Sequence, residues 1–150
     1  MLIIVGEGKE KEKLMNLVIK YNISTKIYFM GNRRDVYNWL NIFDCFILPS
    51  KREGLPLTIL EAMAMKKIVI SMSVGGIPEL IVNNYNGILI EEREPQLLLK
   101  SMEYIYENKR EISKIIENAY KHLIMNYSIE DYINNIQEFY EVLIELHKNK

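Results

Sequence analysis

The sequence predicts an α/β chain built on a doubly wound parallel sheet and closed by a helical tail. Three observations predict it. Five short runs of β-branched or apolar residues alternate with helix-length segments as far as Ile90. Such alternation is the pattern of parallel βαβ units, whose strands are buried on both faces. Four of these runs end in turns rich in Gly, Ser or Pro, at the edge where open α/β sheets bind their ligands. After Ile90 the pattern becomes wholly helical.

Leu2 to Val5 is a continuous apolar run and reads as a strand, closed by Gly6-Glu7-Gly8. Lys9 to Tyr21 reads as a helix, with Leu14, Leu17 and Val18 on one face. Lys26 to Met30 is the second strand and ends at Gly31. Asp35 to Phe43 is a short helix with Asp35 as candidate cap. Cys45 to Leu48 is the third strand. Pro56 to Met65 is the next helix. A proline fits the first helical turn and disfavours a helical residue before it, so Leu55 lies at or near the cap. Ile68 to Ser71 and Gly87 to Ile90 are the fourth and fifth strands, with a short helix from Pro78 to Val82 between them. Pro95 to Tyr106 and Arg110 to Asn126 read as helices. Ser128 opens a third, with Asp131 as a shortened capping box. Ile129, Tyr132, Ile133, Ile136, Phe139, Tyr140 and Leu143 give it a broad apolar face. That face requires a partner, in this domain or another.

Bulk properties exclude several classes. The 150 residues allow one domain with a real core. A net charge of −1, with scattered Lys and Arg, offers no electrostatic case for nucleic acid. No apolar run approaches the roughly 18 residues of a membrane span. Met1 leads directly into Leu2-Ile3-Ile4-Val5, without the basic start of a signal peptide. The expected location is cytoplasmic. Cys45 is the single cysteine and lies in an apolar run, as a small core residue would. One Cys and two distant His leave little material for a zinc site. Gly6-Glu7-Gly8 does not continue as a dinucleotide fingerprint, and no Gly-Lys-Ser/Thr phosphate loop is present.

The chemistry concentrates between Ser50 and Glu61. Glu53 precedes Gly54 and Pro56, so it sits in a strand-to-helix loop at the ligand edge. An exposed loop glutamate without a role is the competing reading. Glu61 lies inside the helix and is its only charge from Gly54 to Met65. A carboxylate in an apolar helix should meet hydroxyls or amides, because burying it alone is costly. A ribose diol is an apt partner. Thr58 is three residues earlier and shares its face, while Leu57, Leu60 and Ala64 are expected on the core side. The amino end of this helix suits a phosphate or sugar oxygen, and Gly54 allows close approach to the backbone. Lys51 and Arg52 are equally readable as anion contacts or as solvated loop residues. Gly75-Gly76 reads as a plain turn or as a second backbone anion site. The three Asp, at 35, 44 and 131, form no Asp-x-Asp, so a carboxylate cage for a metal-bound diphosphate is not expected.

Leu48-Pro49-Ser50-x-x-Glu53-Gly54-Leu55-Pro56-Leu57-x-x-Leu60-Glu61-Ala62-Met63-Ala64 resembles the Glu-x7-Glu motif of the family-four retaining glycosyltransferases, also called glycosyltransferase group 1. Ile4-Val5-Gly6-x-Gly8, Phe29-x-Gly31-x-Arg33-x-Asp35-Val36, Gly75-Gly76-Ile77-Pro78-Glu79-Leu80-Ile81 and Asn86-Gly87-Ile88-Leu89 match further segments in order. The resemblance covers roughly residues 1 to 105 well and the tail loosely.

The resemblance implies a GT-B fold whose carboxyl-terminal domain holds a nucleotide-diphosphate sugar. Residues 1–150 are then one donor-binding domain. Carried over, Glu61 binds the ribose hydroxyls, and Glu53 is the catalytic candidate that contacts the donor sugar. Amides at Gly54 and Leu55 face the sugar or diphosphate, with Ser50 and Thr58 beside them. The loop from Gly31 to Arg33 meets the base. Retention of anomeric configuration, independence of metal and a role in cell-surface polysaccharide are implied as well. The family's donor domain begins one strand and helix earlier. The chain is therefore expected to be incomplete at its amino end and to lack the acceptor domain. It should be inactive alone, and should work with that domain or a separate subunit. A non-catalytic nucleotide-sugar module, or half of a split enzyme, is the alternative. Any membrane association is expected only through the missing part.

Overall fold

A computed structural model describes residues 1–148. The chain divides into two compact units, Met1–Trp39 and the remainder from Leu40.

In the first unit, β1 (Leu2–Val5) pairs in parallel with β2 (Ile27–Gly31), Leu2 opposite Ile27 and Ile4 opposite Phe29. The helix α1 (Lys11–Lys20) connects them. Of its expected inner face only Val18 is buried; Leu14 and Leu17 are each 39% exposed. After β2 the chain enters α2 (Val36–Ile42). Asp35 was expected to cap this helix, but its carboxylate instead accepts two hydrogen bonds from the Arg33 guanidinium, each at 2.9 Å.

The second unit holds a parallel sheet in the order β3 (Cys45–Leu48), β4 (Ile68–Met72), β5 (Ile88–Ile90). Cys45 faces Ile68 and Ile70 faces Ile88 across the two ladders. Every residue of the central strand β4 is buried. That explains its unbroken Ile-Val-Ile-Ser-Met run: a central parallel strand has no wet face. Burial of each such aliphatic side chain contributes about 1.5–3 kcal/mol relative to exposure. The parallel ladders form a two-stranded set in the first unit and a three-stranded set in the second.

Between β3 and β4 lies α3 (Leu57–Ala64); between β4 and β5 lies the short α4 (Ile77–Leu80). Then come α5 (Pro95–Glu107), α6 (Lys109–Asn126) and α7 (Ile129–Lys148). Ile68, Ile70, Met72, Ile88 and Ile90 cluster with Ile112 and Ile115 of α6, and Leu97 and Leu98 of α5 pack against the same core. Cys45 belongs to its edge. Burial, and then the charge of Asp44, push its thiol up to about 12. The turn before β5 is fixed by the buried Asn86. Its Oδ1 accepts from the Val82 amide at 2.7 Å, and its Nδ2 donates to the Leu80 carbonyl at 3.1 Å.

The tail begins as expected. Ser128 Oγ accepts from the Asp131 amide at 3.0 Å and donates to Asp131 Oδ2 at 2.7 Å. The apolar face of α7 is exposed throughout, with Ile129 63%, Phe139 61% and Leu143 44% accessible.

Candidate functional site

β3 ends at Leu48, and the chain leaves the carboxyl edge of the sheet through Pro49 and the half-buried Ser50. Glu53 is half-buried in this loop, while Gly54 and Leu55 are exposed. Pro56 stands at the cap of α3 with an extended ψ of 111°. The helix begins at Leu57, one residue later than expected, because proline holds an extended geometry while supplying the first acceptor: its carbonyl receives the Ile59 amide at 3.1 Å. No side chain caps this end of α3. Its first amides are open to a ligand, and the dipole favours a negative one.

The inward face of α3 is Ile59, Ala62 and Met63, each fully buried. Sequence periodicity named Leu57, Leu60 and Ala64, and the structure corrects it. Leu57 is 68% exposed, Ala64 is exposed and Leu60 is half-buried. Glu61 is half-buried on the helix, and Thr58 is exposed one turn before it. Neither the Glu53 nor the Glu61 carboxylate has a hydrogen-bonding or ionic partner among the described residues, and neither lies sealed in the core. Two free carboxylates thus flank, in sequence, a helix start that carries free amides.

A contact that the sequence did not disclose holds this loop. Gly75 and Gly76, after β4, lie against the backbone of Glu53 and Gly54. The Gly76 amide donates to the Gly54 carbonyl at 2.9 Å. Two adjacent glycines were the only available signal, and they read equally as a turn. Arg93, beyond β5, brings a guanidinium nitrogen to 3.5 Å from the Ser50 carbonyl, a long contact at the limit of hydrogen bonding. No surrounding atom comes within 4 Å of a Cβ built on Gly54, so the space above it is open.

Gly31 and Arg33 belong to the first unit. Gly31 closes β2 with a φ of 66°. Arg33 is exposed, pairs with Asp35 and stacks over the Trp39 ring at 5.4 Å. The hydrogen bonds from Arg33 hold the Asp35 carboxyl below the ordinary carboxylate range. His122 lies on α6, half-buried, with its ring edge-on to Tyr127 and Nδ1 3.2 Å from Asn126 Nδ2. It is distant in sequence from the loop, and its Nε2 is buried without a hydrogen-bond partner among the described residues. No group of three metal-binding side chains occurs among the described residues.

The family profile described as "Glycosyl transferases group 1" matches residues 1–122. The chain belongs to this family. An uncharacterized glycosyltransferase of Methanocaldococcus jannaschii is 32% identical over 93% of this chain and 40% of its own length. The UDP-Gal:alpha-D-GlcNAc-diphosphoundecaprenol alpha-1,3-galactosyltransferase of Escherichia coli is 27% identical over 93% of this chain and 36% of its length. Among solved structures, Anabaena HepE in complex with UDP-glucose superposes with a TM-score of 0.86 at 23% identity, covering 93% of this chain and 40% of that one. That likeness fixes the fold: parallel sheets with flanking helices, as in GT-B glycosyltransferases. The chain thus spans 36–40% of the length of these two curated relatives. No helix among the described residues is long and apolar enough to cross a membrane.

Proposed function

We propose that this chain is the donor-binding part of a retaining glycosyltransferase that takes a nucleotide-diphosphate sugar and serves polysaccharide or glycoconjugate synthesis. The carrying observation is the pair of unpartnered carboxylates, Glu53 and Glu61, around the uncapped start of α3. Glu61 accepts hydrogen bonds from the ribose diol, with Thr58 beside it. Glu53 accepts from hydroxyls of the donor sugar. The Gly54 and Leu55 amides and the amino end of α3 receive the diphosphate, and the open space above Gly54 lets it come close. Charge that builds on the departing nucleoside diphosphate is met by these amides and by Arg93, so the reading requires no metal. The relatives support a donor of this class: one is named for UDP-Gal, and a neighbour of the same fold was crystallised with UDP-glucose. The same reading includes a cytoplasmic location.

The chain spans well under half of each relative, so we place the acceptor contacts outside it. The chain alone is expected to bind donor without transferring sugar. Calorimetric titration with UDP-glucose and GDP-mannose tests the reading. Glu61→Ala should weaken nucleotide and nucleotide sugar alike by about tenfold, the scale of one hydrogen bond to a charged group. The variant should also become indifferent to removal of the ribose hydroxyls. Failure of the wild-type chain to bind any nucleotide sugar sinks the proposal.

A further inference from the structure

We propose that Gly75 and Gly76 are positioning residues for Glu53, holding its backbone so that its carboxylate meets the donor sugar. The inference rests on the donor-binding reading and assigns a task to a second loop of the same unit.

The Glu53 side chain has no hydrogen-bond partner among the described residues, so within the chain its backbone is the part held in place, and it sets the point from which the carboxylate reaches the ligand. That backbone is held from one side. A Cβ built on Gly75 would overlap the Glu53 carbonyl oxygen, and one built on Gly76 would stand 2.5 Å from the Gly54 carbonyl oxygen. Real Cβ atoms do not come so near, and here the obstruction is main chain, which cannot swing away like a side chain. Gly75 also has a φ of 57°, which disfavours any other residue. The glycine pair is itself anchored. Gly76 caps α4, whose Ile77 and Leu80 are completely buried, and the Ser73 amide bonds the Ile90 carbonyl at 2.9 Å. The order of control runs from core, to α4, to the glycine pair, to the Glu53–Gly54 backbone, to the carboxylate.

A merely structural turn predicts a different result from a positioning device. The test uses the full 150-residue chain with UDP and UDP-glucose as probes. Gly76→Ala is the first variant, because its φ of −83° suits alanine and only the contact with Gly54 is disturbed. The expected result is a chain that still folds but with a lowered thermal midpoint, since the methyl group displaces main chain, and a roughly tenfold fall in the preference for UDP-glucose over UDP at a temperature where it is folded, the scale of one hydrogen bond to a charged group. In a Glu53→Ala background the same substitution should change that preference no further, since both act through one group. An additive loss in the double variant overturns the inference. So does an unchanged preference in a folded Gly76→Ala chain.

Amide hydrogen exchange reads the contact without a ligand. The Gly76 amide should exchange slowly in the wild-type chain, and the amides of Glu53 to Leu55 should exchange faster in Gly76→Ala. Fast exchange of the wild-type Gly76 amide removes the clamp even if the variant does not fold. A wild-type chain that binds neither probe while showing these exchange rates defeats the donor-binding reading and leaves the clamp standing.

Discussion

The Ser71 hydroxyl donates to the Leu48 carbonyl oxygen at 3.1 Å, crossing from β4 to the last residue of β3. Ser71 is 1% exposed, the one polar side chain in an otherwise apolar strand. Its bond ties down the point from which the Glu53 loop departs. Ser71→Ala should cost about 1 kcal/mol, the net worth of a neutral buried hydrogen bond, measured by urea unfolding. A substitution that stabilises the chain would mean the hydroxyl is a burden there.

Gly54 separates a folding role from a binding role. Nothing in the chain occupies the space a Cβ would take there. Gly54→Ala should therefore leave the thermal midpoint within about 1 °C, a shift of a few tenths of a kcal/mol. Donor affinity should still fall, because the methyl group enters the ligand's space. Equal affinity for UDP-glucose in both chains would remove the diphosphate from this spot.

Asn86 satisfies two main-chain groups at once, the Val82 amide and the Leu80 carbonyl, with almost no exposure. Asn86→Ala leaves both without their partner inside the protein. The expected cost is about 2–4 kcal/mol, well above that of a surface substitution. Calorimetric or urea unfolding of the variant measures it.

Asp35 makes a pH prediction. Hydrogen bonds from Arg33 hold its folded-state pKa below the ordinary value of 3.8. A depressed carboxylate contributes stability above its unfolded pKa and loses it as pH falls through the folded one. The pair is exposed, so the contribution is small and salt-sensitive. A carbon-detected NMR titration should place the Asp35 midpoint below 3.8, and Arg33→Gln should return it toward that value. A midpoint that ignores the substitution dissociates the two residues.

The elements were legible because apolar runs bounded by Gly and Pro leave few alternatives, and β3 falls on the expected residues. The inward face of α3 was not. A helix of eight residues, apolar on nearly every side, gives periodicity nothing to contrast, so Leu57 and Ile59 exchanged places. Strand order was not legible either, because an apolar run announces a strand and not its partner. In the candidate site, Glu53 and Glu61 stood out by their spacing and by the proline between them. The hold of Gly75 on Glu53 did not, since two glycines look the same whether they turn freely or make room for another main chain.

The exposed face of α7 has a consequence for the chain in a test tube. Copies of a protein stay dispersed when like charge keeps them apart or when little apolar surface is on offer. With a net charge of −1 and a 20-residue helix whose isoleucines, tyrosines and leucines meet water, this chain has neither safeguard. Its colloidal behaviour should worsen with concentration, and light scattering should improve when the α7 face is made polar while the sheet core stays as it is.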